Sequence, residues 1–249
     1  MIRHRPAFSP RSCYILRDQD EVAYFTQHGG APEAQLIDWA TQLFGANQCF
    51  IDVGAHVGSW TQHLAQSGAM LAPAEISINE QATMTIASEK SARRHVYAFE
   101  PQASTYKRLC EGVLLAGLTN VTCNDVALGA RGEVDLHIVS VDGGGSTLRH
   151  RAELGSELSV ERVHGAQLDD YRFVDVGLIK IDAEGAERDI LRGAHKTLEV
   201  HHRPTLLLEA WLHGWFAQER AALIADVEAL GYRVQPVLNW PEMLLATRS

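Results

Sequence analysis

Phe50-Ile51-Asp52-Val53-Gly54-Ala55-His56-Val57-Gly58 is the stretch on which the fold turns. A short apolar run, 49–53, reads as a strand, breaks at Gly54, and passes through Gly58 into 59–67, where the spacing predicts a helix. Strand, glycine turn and helix in immediate succession bring backbone very close to a ligand, because glycine places no Cβ in the way. A dinucleotide fingerprint needs G-x-G-x-x-G at this place, and His56 to Ser59 offers a single glycine, so pyrophosphate binding loses ground. On its own, a tight strand-to-helix turn would read the same way.

Downstream the same pattern repeats. Residues 96–100, 120–128, 177–182 and 205–210 are short apolar strands, alternating with helices predicted over 103–116, 186–198 and 218–230. Tyr106, Leu109 and Val113 share one face of the first of these helices, and Ile190, Leu191 and Ala194 one face of the second. Strands apolar on both faces belong in a parallel sheet covered by helices. The last two strands, 232–237 and 242–248, are joined only by Leu238-Asn239-Trp240-Pro241, which implies an antiparallel hairpin at the sheet's edge.

Upstream, 13–17 and 21–25 flank Asp18-Gln19-Asp20 and predict a small hairpin. A helix with Leu36, Ala40, Leu43 and Phe44 follows, stopped at Gly45 to Asn47. Residues 1–48 therefore read as a hairpin and helix appended to a core of 49–249. Two segments interrupt the alternation. Residues 68–94 are too long for a helix-to-strand connection and read as an inserted hairpin around Asn79-Glu80-Gln81, while 140–169, with Gly143-Gly144-Gly145, reads as a mobile flap.

Composition narrows the function classes. At 249 residues, with 46% hydrophobic and 21% charged residues, one globular domain with appendages is the expectation. A net charge of -9 gives no electrostatic reason to bind nucleic acid or an anionic membrane. No run approaches the ~18 apolar residues of a membrane span, and Met1-Ile2-Arg3-His4-Arg5-Pro6 lacks a signal peptide's apolar core, so a cytoplasmic location is expected. Cys13, Cys49, Cys110 and Cys123 form no C-x-x-C pair and read as reduced thiols. Oligomeric state is left open, a homo-oligomer included.

Three strand ends point to a nucleoside. Beyond the glycine turn, Val96-Tyr97-Ala98-Phe99-Glu100-Pro101 places a carboxylate where both hydroxyls of a ribose can be accepted. Asn124-Asp125-Val126-Ala127 then offers polar groups suited to an adenine edge. With these residues in view, the sequence resembles the FkbM family of S-adenosylmethionine-dependent methyltransferases. Residues 50–58 resemble that family's first motif, 96–101 its second, and 120–129 with Gly132-Glu133-Val134 its third. Gln167-Leu168-Asp169-Asp170, Leu178 through Glu187 and Leu206-Leu207-Leu208-Glu209 complete the pattern.

The resemblance implies an α/β, Rossmann-like class I methyltransferase, with a seven-stranded, mostly parallel sheet, an antiparallel last strand and helices on both faces. It also implies S-adenosylmethionine as cofactor and O-methylation of a sugar or secondary-metabolite hydroxyl. Carried over by position, Asp52, Gly54, Ala55 and Gly58 would line the methionine moiety, Glu100 the ribose, and Asp125 with Val126 the adenine. Residues 68–94 depart from the family pattern.

The chemistry falls to the remaining strand ends. Asp182 and Glu184 end the fourth strand, and Glu209 with His213 follow the fifth, all on the rim where open α/β sheets bind ligands. Methyl transfer to an alcohol needs the acceptor positioned and its proton removed, work suited to a carboxylate or a histidine. The same four residues leave a magnesium ion open, although a metal-free mechanism is expected. Lys180, inside an apolar strand, reads as the neutraliser of a neighbouring carboxylate. Trp211, Trp215 and Phe216 read as core rather than acceptor pocket. The competing functions are a nicotinamide dehydrogenase on the same sheet and a non-catalytic cofactor-binding module.

Overall fold

Residues alternate between the two faces of a strand, so a strand buried on both faces must be apolar throughout. In the central strands of this chain that condition is met except at Asp52 and Lys180, two buried charges that face each other. A computed structural model describes residues 1–67, 75–78, 84–87, 94–139, 145–148, 158–212 and 216–248. In chain order the elements are β1 (Ile2–His4), β2 (Tyr14–Leu16), α1 (Gln19–Gln27), α2 (Ala34–Ala40), β3 (Cys49–Val53), α3 (Ser59–Gln66), β4 (Glu75–Ile78), β5 (Met84–Ala87), β6 (Val96–Phe99) and α4 (Ala103–Leu115). They continue with β7 (Val121–Asn124), β8 (Val126–Leu128), β9 (Gly132–Ile138), β10 (Ser159–Ala166), β11 (Val176–Ile181), α5 (Glu187–Arg192), α6 (His195–Val200), β12 (Thr205–Glu209), α7 (Phe216–Ala229), β13 (Tyr232–Val237) and β14 (Trp240–Arg248).

Seven strands form the main sheet in the order β13-β14-β12-β11-β3-β6-β7. The pairs from β12 to β7 are all parallel, and β14 runs antiparallel to both its neighbours. This is an α/β fold whose last strand is reversed, as expected, with β13 forming the edge. Alternation assigns the two faces. Ile51 and Val53 of β3, Ile179 and Ile181 of β11 and Leu206 and Leu208 of β12 pack with Ile190, Leu191, Leu198 and Val227 from α5, α6 and α7. Phe50, Leu178 and Leu207 pack with Leu36 and Ile37 of α2 and Trp60 and Leu64 of α3. Each such fully buried side chain contributes roughly 1.5–3 kcal/mol relative to exposure.

Four sequence expectations need correction. The predicted N-terminal hairpin of 13–17 with 21–25 does not form: β2 pairs instead with β1, His4 opposite Tyr14, and 19–27 is helical. The polar residues taken for a turn are a helix cap. Asp18 Oδ1 accepts from the Glu21 amide at 3.0 Å, and Asp20 and Glu21 place negative charge in the first turn. The predicted strand 120–128 breaks at Asp125: β7 stays in the main sheet, whereas β8 joins a three-stranded sheet of order β8-β10-β9.

That small sheet corrects the third expectation, because Ser159–Ala166, read as part of a flap, pairs in parallel with β8 and antiparallel with β9. Residues 140–144 and 149–157 of that flap lie outside the described residues. The fourth concerns the predicted helix 186–198, which is two helices divided at Gly193 and Ala194. The Leu168-Asp169-Asp170 turn explains the second start. Asp169 Oδ1 accepts from the Thr197 amide at 2.8 Å and its hydroxyl at 2.9 Å, and Oδ2 from the Lys196 amide at 3.1 Å, satisfying the orphan donors of α6.

The remaining segments take simple forms. Within 68–94, β4 and β5 pair antiparallel with Ile78 opposite Met84, and the other residues from 68 to 93 lie outside the described set. The N-terminal segment is tied closely to the sheet's helices. Cys13 exchanges two hydrogen bonds with the Gln62 side chain, at 2.8 and 3.0 Å, and Glu21 meets Arg108 of α4 in a buried ion pair at 2.9 Å. Among the described residues no helix is long and apolar enough to cross a membrane.

Candidate active site

The sheet register assembles the first part of the site. Asp52 of β3 lies directly opposite Lys180 of β11, and alternation turns both toward α3. The Lys180 ammonium lies 3.6 Å from Asp52 Oδ1, and the Thr61 hydroxyl of α3 donates to Oδ2 at 2.6 Å. Asp52 is fully buried, and burial pushes its carboxyl above the usual range while Lys180 pulls it back. It supports the glycine turn from beneath.

Past Val53 the backbone turns sharply. Gly54 has φ +74°, and a Cβ there would lie 1.8 Å from the Asp182 carbonyl oxygen, so only glycine lets the ends of β3 and β11 come together. The Gly54 and Ala55 amides both donate to the Phe99 carbonyl at 3.0 Å, pinning the turn to β6. His56 follows with φ 52°, and its amide donates to Glu100 Oε2 at 2.9 Å. Gln102 N donates to Glu100 Oε1 at 3.0 Å. Burial pushes the Glu100 carboxyl up to about 7, although both amides favour its charged form.

The ends of β11 and β12 supply carboxylates. Lys180 reaches Asp182 Oδ2 at 3.0 Å and donates to the Gly54 carbonyl at 3.0 Å, which fulfils the neutralising role read from its apolar setting. Burial alone would raise the Asp182 carboxyl, but the Lys180 ammonium, with hydrogen bonds from Glu209 and Lys180, holds it below the ordinary range. Burial and the neighbouring Asp182 push Glu209 well up, and burial, Asp182 and Glu187 push Glu184 up to about 8. Glu184 adopts the left-handed region at φ 50°, a conformation uncommon for non-glycine residues. Its turn is held by Glu187, whose Oε1 accepts from the Ala183 and Gly185 amides, and by Thr147, whose hydroxyl donates to the Glu184 carbonyl at 2.8 Å.

These groups share one cavity of about 420 Å³. Of the residues expected from sequence, Gly54, Ala55, Glu100, Val126, Asp182, Glu184 and Glu209 line it. Asp52 and Gly58 do not: Asp52 lies beneath, and Gly58 starts α3 with its Cα against Leu109, where a Cβ would approach to 2.6 Å. Asp125 is exposed, one residue before the lining Val126. His213 and Trp215 lie outside the described residues, whereas Trp211, read as core, is part of the cavity wall.

Sequence reasoning missed Glu33, Tyr24 and Pro32, which line the same cavity from the N-terminal segment. The Trp60 indole donates to Glu33 Oε2 at 2.9 Å, and burial together with Asp182 pushes that carboxyl up. Nothing in a Gly-Gly-Ala-Pro-Glu run signals such a placement, since it depends on how α1 and α2 dock.

Residues 52–234 match the methyltransferase FkbM domain. Among solved structures, the chain is similar to a methyltransferase FkbM from Methylobacillus flagellatus, at 16% identity and a TM-score of 0.49, over 82% of this chain and 44% of that one. The chain therefore spans less than half the length of that protein. A candidate rRNA methylase from Clostridium thermocellum aligns at 11% identity and a TM-score of 0.50, covering 86% of this chain and 96% of its own. Precorrin-6y C5,15-methyltransferase from Geobacter metallireducens aligns at 11% identity and a TM-score of 0.49, covering 88% of each chain. No curated protein matches the sequence.

Proposed function

Because this chain belongs to the FkbM methyltransferase family, we propose that it transfers the methyl group of S-adenosylmethionine to a hydroxyl of a sugar or secondary metabolite. One observation carries this reading: the glycine turn, the buried Glu100 and the carboxylates ending β11 and β12 meet in a single cavity of about 420 Å³. A nucleoside joined to an amino acid needs close backbone approach at one part of its site and a ribose-binding carboxylate at another. Gly54 and Ala55 offer the first, Glu100 the second, and Val126 an apolar edge for adenine. Asp52 and Gly58 serve these contacts from behind the cavity wall.

When bound, S-adenosylmethionine supplies a methyl group on a positively charged sulfur, already electrophilic. The protein's own task is then to hold an acceptor hydroxyl and take its proton. Asp182, kept ionised by Lys180, orients the acceptor through its fixed negative charge, and the reacting hydroxyl donates its one hydrogen bond to Glu184. Glu184, whose carboxyl is pushed up to about 8, has a proton affinity matched to receiving the proton near neutral pH. Glu209 hydrogen-bonds Asp182 and fixes its orientation. The partner in this reading is a small-molecule acceptor, and a net charge of -9 agrees with one other than nucleic acid.

Calorimetry with S-adenosylhomocysteine tests the cofactor half of the proposal. Saturable binding is expected, and tight binding of NAD in its place would restore the dehydrogenase reading. A second reading places a divalent cation among Asp182, Glu184 and Glu209, whose ligand atoms lie within 4.8 Å of one another. Lys180 already balances Asp182, and Asp182 and Glu209 hydrogen-bond each other, so the metal-free version is preferred. Turnover unchanged by chelator is the expected result; loss in chelator and return with magnesium would reverse the preference.

A further inference from the structure

The cavity has a wall that residues 52–234 do not supply. Tyr24 of α1, and Pro32 and Glu33 just ahead of α2, line it from the N-terminal segment. Glu33 stands in the left-handed region at φ 60°, a conformation that costs a non-glycine residue energy and persists where surrounding contacts hold it. Those contacts are identifiable. The Trp60 indole anchors Oε2 at 2.9 Å, and the segment is fastened to α3 and α4 through Cys13–Gln62 and Glu21–Arg108.

The charge facing this part of the cavity is mostly acidic, with Lys180 and His56 the basic side chains lining it among the described residues. Glu33, Asp182, Glu184 and Glu209 all line it. The Lys180 ammonium is already committed to Asp182 at 3.0 Å, the Gly54 carbonyl at 3.0 Å and Asp52 at 3.6 Å. A carboxylate or phosphate on an acceptor would lose water here and meet carboxyl groups in return. An ammonium would favour the ionised form of these carboxyls and so gain charge-assisted acceptors, with the aromatic faces of Tyr24, Trp60 and Trp211 in the same wall. Lys180 itself shows that the wall accepts a cation near an aromatic face, lying 5.9 Å from the centre of the Trp60 ring.

We infer that Glu33 is a specificity-determining residue, which binds a cationic amine carried by the acceptor beside its reacting hydroxyl and so selects amino-bearing acceptors over neutral and anionic ones. This rests on the acceptor entering the cavity proposed above for methyl transfer. It adds to that reading a substrate class and a role for the N-terminal segment. Trp60 is then a positioning residue, because its indole fixes the Glu33 carboxylate.

The experiment uses methyl glycosides of glucosamine, glucose and glucuronic acid, one sugar skeleton with three charges, titrated by nuclear magnetic resonance into the 249-residue chain with and without S-adenosylhomocysteine. The amine is expected to bind about tenfold more tightly than the neutral sugar, as one hydrogen bond to a charged group allows, and the carboxylate most weakly. Glu33→Gln should abolish the preference between amine and neutral sugar while the variant remains folded and keeps its S-adenosylhomocysteine affinity. Glu33→Asp should retain part of it, and carries the test if the glutamine variant does not fold. Equal binding of amine and neutral sugar by the wild type, no binding of any sugar, or an undiminished preference in the Glu33 variants would overturn the inference. A wild type that binds the amine but not S-adenosylhomocysteine would keep this inference and lose the cofactor reading.

Discussion

At the glycine-turn end of the cavity the contacts are made by backbone: the Gly54 and Ala55 amides are pinned to Phe99, and Glu100 is held by the amides of His56 and Gln102. At the carboxylate end they are made by side chains from distant parts of the chain, with Glu33, Lys180, Asp182, Glu184 and Glu209 setting one another's charge. The first arrangement tolerates almost no change of shape, and the second almost no change of charge. A backbone cradle is encoded by a few consecutive residues, whereas a charge cluster depends on strand register and on the docking of an N-terminal segment. The two ends should therefore fail differently under mutation.

The sharpest separation comes from Glu184→Gln, which keeps side-chain shape and removes a proton acceptor. Turnover should fall by about 10²- to 10⁴-fold, as for the loss of a general base, while S-adenosylhomocysteine affinity measured by calorimetry stays within error of the wild type. Retained turnover would remove Glu184 from the chemistry and leave the carboxylate end with a binding role alone.

Shape is the vulnerability of the other end. Gly54→Ala introduces a Cβ that would lie 1.8 Å from the Asp182 carbonyl oxygen, at a backbone φ of +74°. Strain and displacement together should lower stability by about 3 kcal/mol or more, read as a drop in the denaturant midpoint. A variant as stable as the wild type would mean that β3 and β11 can separate, and that the close approach is not what the turn requires. Glu100→Ala is milder. It should weaken S-adenosylhomocysteine binding by about 1 to 3 kcal/mol, the loss expected for a charged hydrogen-bond acceptor. An unchanged dissociation constant in a folded variant would place the ribose elsewhere.

The same contrast explains what the sequence made legible. Strands β3, β6, β11 and β12 could be read because parallel strands bury both faces and so appear as predominantly apolar runs, broken only by Asp52 in β3 and Lys180 in β11. Gly54 and Glu100 could be read because each ends such a run. Asp18 was misread because a capping aspartate and a turn aspartate have the same local chemistry; only the burial of Glu21 and Phe25 along one helix face separates them. Asp169 reads as part of a family motif, yet its contacts in the structure are with the first amides and hydroxyl of α6. Glu33 was invisible because its position comes from tertiary docking, which leaves no periodic trace in sequence.

The effect that joins the two ends is the response to pH. Burial, Asp182 and Glu187 push Glu184 up from 4.5 to about 8, and burial pushes Glu100 up from 4.5 to about 7. For each, the folded state holds its proton to a higher pH than the unfolded chain does. Their stabilising contribution is therefore full below about 4.5 and is lost as pH rises toward 7 for Glu100 and toward 8 for Glu184. Asp182 is shifted in the opposite direction, below 3.8, so its contribution is present throughout that window and fades only in stronger acid. Activity should run against stability. If ionised Glu184 receives the acceptor's proton, kcat should climb about tenfold per pH unit below 8 and level off above it, while the thermal midpoint falls over the same range. Glu184→Gln should flatten the climb in its residual turnover and lessen the stability loss between about 4.5 and 8, leaving the share that belongs to Glu100 and to the other carboxyls pushed up by burial, Glu33, Asp52 and Glu209. A wild-type kcat that does not change between pH 6 and 8 would show that charge at the carboxylate end is set before the acceptor arrives, and that the end acts by holding the acceptor alone.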